Sequence, residues 1–461
     1  MDRFLAALTY FLVRIAKYLP HETWRPGQKL KLLLIGYNGK RNTGADLRVA
    51  AMAAQFRHLL GADNVEMGIL TLDKASLAGY FPPDTRLIPF DPLFFLPVLK
   101  ACLACHAGVL SEGSCLKSTF ANSLTLLFIG CAGALERQGK PCIAFGSEVG
   151  AMDGWLYRAA QRFCAQTCFV ARTQASLELL QQMGLAGSLG TDTAWIAPAA
   201  PAEWAADVLR AAGWDGRRPL VGLAAINPFW WPVKPRLWHY VLGKWRTAPH
   251  LHYTRWYFFS DSEERRRKFT DYLASIARAA THLLESYDAQ PIIFGMEAVD
   301  RDASARLQAM LPVPAPIFGA TEYDGYQLTA LLRRMSLLIT SRYHARVLSM
   351  PGGVPSLAVS MDERLRNLLT ETGHLDDYYL EADDPHLADK LPAAAEQLWQ
   401  ARERVRADLL ATLPGYLKMQ ADMGVAFRAF IAESFPAFPL PPAPEDWTGY
   451  LPEIRVLRAE D

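Results

Sequence analysis

The chain has 461 residues, 51% of them apolar and 21% charged, with 31 glycines and 30 prolines. That composition excludes wholesale disorder, a collagen-like rod and a low-complexity polymer, and the length suffices for two or three domains with full cores. Lys plus Arg number 48 against 47 Asp plus Glu, a net charge of +1, so no general electrostatic footprint for nucleic acid exists and any basic site must be local. Seven cysteines scattered through a long chain read as reduced thiols in a cytosolic protein.

Residues 1–28 form the first predicted unit. Phe4 to Leu19 is apolar and aromatic, but Arg14 and Lys17 interrupt it, and the uncharged run falls short of the ~20 residues that span a bilayer. Leu5, Leu8, Leu12, Ile15 and Leu19 repeat at helical spacing and predict one apolar stripe. Two readings stay open: a helix docked on its own protein or on a second subunit, or a peripheral membrane helix with Arg3, Arg14 and Lys17 near lipid headgroups.

Residues 29–200 alternate strand and helix. Lys29 to Ile35 is an aliphatic run that stops at Gly36. A loop with three glycines follows, from Gly36 to Asp46, then a helical pattern over Leu47 to Leu60 and a strand over Val65 to Thr71. Further strands are expected at Ala107 to Leu110, Pro141 to Phe145 and Thr167 to Ala171. Helices are expected at Phe120 to Gln138, Trp155 to Gln166 and Gln174 to Met183. A second α/β series spans 201–385, with strands at Pro219 to Ile226, Pro291 to Phe294, Ser336 to Thr340 and Ser356 to Val359. The fold class is α/β, with two Rossmann-like domains facing across a cleft, since such sheets bind ligands at the carboxyl ends of their strands. Asn227 to Tyr257 carries Trp230, Trp231, Trp238, Trp245 and Trp256 and reads as an aromatic-lined insertion. Residues 386–461 read as a helical and Pro-rich extension whose Phe435 to Pro442 segment straps along the surface.

Two loops carry chemistry. In the first, Gly39 and Gly44 let backbone N–H groups approach an anion at a helix N-terminus, while Asn42 and Asp46 either bond a ligand or cap the turn. It is neither a Walker A loop nor a strict Gly-x-Gly-x-x-Gly. In the second, an apolar strand end at Ile339 and Thr340 runs into Ser341-Arg342-Tyr343-His344-Ala345-Arg346. Two guanidinium groups and an imidazole thus stand at the switch from strand to helix, and the bland alternative is a surface cluster paired with carboxylates. Cys102-Leu103-Ala104-Cys105-His106 matches a haem-attachment pattern, but it sits at the edge of an apolar strand and reads as buried thiols with a strand-edge histidine. Cys164 and Cys168 have metal-ligand spacing on one expected helix face but lack a second pair, and His250 and His252 read as loop residues.

At these loops the sequence resembles the polysaccharide pyruvyl transferase family, and the likeness extends over most of residues 30 to 370. The segments that carry it are Gly36 to Asp46, Ser111-Glu112-Gly113-Ser114, Phe145 to Gly150, Arg172 with Ser176 and Leu179, and Asp192-Thr193-Ala194. The last is Ser341-Arg342-Tyr343-His344, followed by Gly353-Val354-Pro355 and Asp362. The resemblance implies a GT-B-like two-domain fold. It also implies transfer of an enolpyruvyl-derived group from phosphoenolpyruvate (PEP) to sugar hydroxyls of a surface or extracellular glycan, forming a pyruvate ketal. The expected donor contacts are Arg342, Arg346, Arg172, Gly39, Asn42 and Gly44, with Arg342 and His344 catalytic and no metal or cofactor required. The expected acceptor contacts are Asp46, Glu112, Glu148, Asn227 and Trp230, and the acceptor itself is a saccharide or lipid-linked saccharide. Glu112 and Glu148 depart from the glycines the family carries there and bring carboxylates near a site for a dianion. The alternatives are a nucleotide-sugar glycosyltransferase on the same plan and a non-catalytic relative that uses the cleft for binding. The expected location is the cytoplasm, at the inner face of the membrane if the N-terminal helix meets lipid.

Overall fold

A computed structural model describes residues 2–90, 95–247, 252–254 and 257–452; His250, Trp256 and residues 453–461 lie outside that set. Helix α1 (Asp2–Ile15) precedes the first sheet. That sheet comprises β1 (Leu30–Ile35), β2 (Val65–Thr71), β3 (Arg86–Pro89), β4 (Ala107–Leu110), β5 (Cys142–Ser147), β6 (Cys168–Ala171) and β7 (Gly187–Leu189), in the order β3-β2-β1-β4-β5-β6-β7. Every neighbouring pair is parallel. Its central strands are buried on both faces, which is why they read as unbroken aliphatic runs. The edge strands β3 and β7 were not legible in the sequence, because they are short and largely exposed and so carry no hydrophobic signal.

Between the strands lie α2 (Thr43–Leu60), α3 (Phe95–Leu103), α4 (Asn122–Arg137) and α5 (Gly154–Phe163). Because α5 ends at Phe163 and Cys168 opens β6, Cys164 and Cys168 do not share a helix face. His106 is a strand-edge residue: its Nδ1 accepts the Lys31 N–H at 3.0 Å, and its own N–H bonds the Lys31 carbonyl. No group of three or more His, Cys, Asp or Glu among the described residues is arranged to hold a metal ion.

The second sheet starts with β8 (Leu220–Ala224). The aromatic insertion follows as β9 (Lys234–Pro235), β10 (His252–Thr254) and β11 (Tyr257–Phe258), a small antiparallel sheet. The main sheet resumes with β12 (Gln290–Gly295), β13 (Ile317–Gly319), β14 (Leu337–Thr340), β15 (Ser356–Ser360) and β16 (Tyr379–Glu381), all parallel in the order β13-β12-β8-β14-β15-β16. Helices α6 (Glu263–Tyr287), α7 (Tyr343–Ser349) and α8 (Glu363–Glu371) flank it. The architecture is GT-B: two parallel sheets, each with its strand order reversing beside its first strand, and their carboxyl ends facing one another.

The long helix α9 (Leu387–Ser434) belongs to both cores. Leu391, Leu398, Trp399 and Leu409 pack into the second domain, whereas Met423, Phe427 and Ile431 pack into the first. Phe427 stacks on Phe56 at 3.7 Å between ring centroids and meets Phe145 edge-on, contacts worth about 0.5–1.5 kcal/mol each beyond burial. The following Phe435 and Phe438 are buried against Trp24 instead of lying loosely on the surface. The helix α9 thus ties the two domains together where the cleft needs a fixed geometry.

Helix α1 docks on α4, with an inner stripe that differs from the expected one. Leu5, Ala6, Thr9, Val13 and Ala16 are buried, while Leu8 is exposed and Leu12, Ile15 and Leu19 are only half-buried. The reason lies on α4. A Cβ at Gly130 would stand 2.7 Å from Thr9 Cγ2, and one at Gly133 would stand 3.0 Å from Val13 Cγ1. The glycine surface of α4 admits the small side of α1, and that selects the stripe.

Candidate functional site

The cleft between the sheets is lined from both sides at the positions where strand order reverses. From the first domain come Tyr37 after β1, the α2 N-terminus with Asn42, Gly44 and Arg48, the turn Glu112 to Ser114 after β4, and Phe120 to Leu124 leading into α4. From the second come Ile226 and Pro228 after β8, Trp231, Val233 and Tyr253 of the insertion, Met296 and Glu297 after β12, Ser341 to His344 after β14, and Ser360 to Arg364 after β15.

A buried charge network forms its floor. Arg48 donates from Nε to Asp192 Oδ1 at 3.0 Å and from its two terminal nitrogens to the Ser111 and Gly146 carbonyls. Arg172 bonds Glu148 and also reaches Asp192 Oδ2 at 2.8 Å. Gly113 leaves room for both guanidinium groups, since a Cβ there would lie 2.9 Å from Arg172 Nη1 and 3.0 Å from Arg48 Nη1. Although burial would raise it, Arg48, His344 and Arg172 hold the Asp192 carboxyl well below the usual range. His344 Nε2 lies 3.5 Å from Asp192 Oδ2. Burial lowers the imidazole to about 4; Asp192 opposes that, while Arg48 and Arg172 add to it, so the ring is neutral at pH 7.

Arg342 donates from Nε to Asp300 at 2.9 Å and from Nη1 to Glu297 at 3.1 Å, with a further Nη2 bond to Asp300. Burial works against its charge, but those two carboxylates hold it above the ordinary arginine value. Three of its five N–H donors are used in these bonds, leaving two for a ligand. Arg364 is anchored to Asp362 from Nε at 2.7 Å and lies 4.8 Å over the Phe120 ring. Buried Lys117 crosses between the domains to Asp362 at 3.3 Å and to Glu363 at 2.9 Å.

An aromatic roof closes one side. Val233 N–H bonds the Phe120 carbonyl at 2.9 Å, the Tyr37 and Tyr253 hydroxyls bond one another, and Phe120 meets Trp231 edge-on at 5.1 Å. The buried Ser114 Oγ and Trp231 Nε1 have no hydrogen-bond partner among the described residues, and both residues line the cleft. Such atoms are suited to a polar ligand.

Of the residues singled out in the sequence, Arg342, His344, Asn42, Gly44 and Glu112 come together here. Asn42 caps α2 and donates to Glu297 at 3.0 Å, joining the two domains. Gly44 faces protein: a Cβ there would stand 2.0 Å from His344 Nδ1, so the glycine makes room for the imidazole. Glu112 accepts from Tyr37 N–H at 2.9 Å and Ser114 N–H at 3.3 Å. Arg172 and Glu148 neutralise each other behind the lining, and Glu148 also accepts from Asn367.

Five others lie elsewhere. Arg346 points away from the cleft into the second domain, bonding Ser356 and Thr372; it sits inside α7, whereas Arg342 is the extended N-cap residue (φ −99°, ψ 113°) and its side chain leaves in a different direction. Gly39 serves its turn at φ +78°, where a Cβ would meet Thr71 Oγ1 at 2.2 Å. Asp46 is buried beneath that turn, accepts the Gly39 N–H at 3.0 Å and is pushed by burial to about 7. Asn227 is buried and caps the turn ahead of Phe229. Trp230 stacks on Phe259 at 4.3 Å in the core of the insertion, and its neighbour Trp231 takes the cleft position.

Arg48, Arg364, Glu297, Tyr253 and Trp231 complete the site. Arg48 had a signal, a single arginine inside the apolar run Leu47 to Ala54. Trp231 and Tyr253 belong to the aromatic insertion visible in the sequence, whereas Arg364 and Glu297 had no signal, since their neighbours come from distant segments.

A family model for polysaccharide pyruvyl transferases matches residues 42–363, well over half of the chain and from α2 through the start of α8. The chain belongs to the polysaccharide pyruvyl transferase family. The matched span includes Asn42, Gly44 and Arg48 at one end and Arg342, His344 and Asp362 at the other, so most of both walls of the cleft falls within it, with Tyr37 and Arg364 just outside. No curated protein sequence matches this family member. Among solved structures it is similar to UDP-GlcNAc 2-epimerase from Neisseria meningitidis bound to UDP-GlcNAc, at TM-score 0.54 and 10% identity over 87% of this chain and 100% of that one. It is likewise similar to HepE from Anabaena in complex with UDP-glucose, at TM-score 0.52 and 13% identity, again over 87% and 100% of the two chains. At such identities the likeness is one of fold. No helix of this family member, among the described residues, is long and apolar enough to cross a membrane.

Proposed function

We propose that this protein transfers the enolpyruvyl-derived group of PEP to two hydroxyls of a saccharide, forming a pyruvate ketal and releasing phosphate. The observation that carries the reading is the meeting of Arg342, Arg364 and Arg48 with a neutral His344 at the carboxyl ends of two facing parallel sheets. PEP offers a carboxylate and a phosphate, and guanidinium groups already oriented by Asp300, Glu297 and Asp362 are preorganised for both. A neutral imidazole takes the proton of the first attacking sugar hydroxyl and returns it to the methylene carbon, which becomes the ketal methyl group; the second hydroxyl then bonds the same central carbon as its C–O bond to phosphate breaks, and the second proton leaves with the phosphate. Asp192 beside His344 stabilises the imidazolium formed between those steps. Trp231 and Phe120 supply apolar surface for a sugar face, and Glu112 supplies an acceptor for sugar hydroxyls. The location is proposed to be the cytoplasm, where PEP is made.

A thermal-shift titration with PEP, UDP, GDP and CMP tests the reading. PEP at about 100 times its Kd stabilises the native state by ~2.7 kcal/mol, and the shift is lost in Arg342→Ala. His344→Ala keeps the shift but stops phosphate release in the presence of acceptor. Stabilisation by a nucleotide and not by PEP would assign the cleft to a nucleotide-sugar glycosyltransferase. Stabilisation by none of the four would favour a binding role.

A further inference from the structure

A helix that packs one stripe onto its own domain ordinarily turns polar residues outward. Helix α1 turns aromatic ones outward. Phe4, Leu8 and Phe11 are 70%, 38% and 59% exposed, and Tyr18 just beyond the helix is 74% exposed. At 100° per residue, positions 4, 8, 11 and 15 fall within a sector about 60° wide, whose centre is turned about 130° from that of the inner stripe of Leu5, Thr9 and Val13. Leu96, on the α3 helix that contacts α1, is 51% exposed as well. Cations border it. Arg14 and Lys17 are exposed on one flank, beside Tyr10, which packs on Phe163 of α5 within electrostatic reach of Arg158 and Arg162. No acidic residue occurs between Phe4 and Tyr18.

We propose that this outer face of α1, with its basic border, docks on the surface of an anionic lipid bilayer. An apolar centre between cations matches the acyl boundary and the phosphate plane of such a surface. Fourteen helical residues lie in that interface and do not cross it. Placement in the fold gives the contact a use. Thr9 meets Gly130 and Val13 meets Gly133, so α1 and α4 run in the same direction, and the Phe4 end of α1 lies toward the start of α4. There Ala121, Ser123 and Leu124 line the cleft. Docking therefore sets the α4 rim of the cleft near the bilayer, an arrangement suited to a saccharide carried on a lipid; this last step rests on the transfer reading above, while docking itself does not.

Sedimentation of the full chain with vesicles, without substrate, tests the proposal. One set is phosphatidylcholine, the other carries about one-third phosphatidylglycerol. The protein should sediment with the anionic set, less so as salt rises. Phe11→Asp should weaken binding at least tenfold, and Lys17→Glu should weaken it about fivefold or more. Val425→Asp, at an exposed position of α9, should leave it unchanged, and circular dichroism with melting should show all three variants folded. Absence of binding to anionic vesicles, or binding indifferent to Phe11→Asp, overturns the proposal. So does a dimer in light scattering that Phe11→Asp disperses, which would assign the face to a second copy of the chain. Failure of PEP to bind, by contrast, leaves vesicle binding as it was, so the two readings fail separately.

Discussion

Asp192→Asn probes the network on which the site is built. The carboxylate is 1% exposed and receives Arg48 at 3.0 Å, Arg172 at 2.8 Å and the Ala194 N–H at 2.9 Å, with His344 a further contact at 3.5 Å. The amide matches the carboxylate in shape but cancels its charge and turns an N–H₂ group toward guanidinium donors. Glu148 still partners Arg172, whereas Arg48 is left with neutral carbonyls alone. Breaking a buried pair from one side costs about 3–5 kcal/mol, so a loss of ~4 kcal/mol is expected. The urea slope grows with the surface exposed, so for a chain of 461 residues it lies above the ~1–3 kcal/mol/M of small proteins; at about 4 kcal/mol/M the midpoint of urea unfolding should fall by about 1 M without a change of slope. Asp207→Asn is the control. Its pair with Arg210 has side chains 75% and 57% exposed, and its removal should leave the midpoint within error. A loss below ~1 kcal/mol for Asp192→Asn would refute the argument that this carboxylate neutralises the floor of the cleft.

Gly44→Ala should be destabilising although alanine favours helices, because its Cβ would meet the His344 ring at 2.0 Å; overpacking of this kind costs about 1–3 kcal/mol, and His344→Gly in the same chain should restore the melting temperature. A single variant as stable as the parent would show that the ring moves freely. The pH dependence of unfolding has a definite sign at His344. Between about 4 and 6.5 the unfolded histidine binds a proton that the folded one, lowered by burial, does not, so stability falls as pH drops through that window, by ~3 kcal/mol in all. His344→Asn should flatten that part of the profile, and an unchanged profile would remove the assignment.

Much of the fold was legible in the chain. Strands buried on both faces must be continuously apolar, so β1, β2, β4, β8 and β14 announce themselves, and the loops that leave β1 and β14 stand out because glycine, arginine and histidine interrupt an aliphatic run. From those residue types alone follow two α/β halves, a cleft at their strand ends, and Arg342 and His344 inside it. Side-chain direction was beyond the sequence. Whether Arg346 or Arg364 faces the cleft, whether Trp230 or Trp231 does, and whether Gly44 serves a ligand or an imidazole depend on one turn of helix or one residue of register. The partners of each charge were likewise hidden, since Arg48 meets Asp192 across 144 positions and Lys117 meets Asp362 across 245. Composition and periodicity are local properties of a chain, whereas a buried charge is satisfied only by whatever distant group the packing of two domains brings within about 3 Å of it.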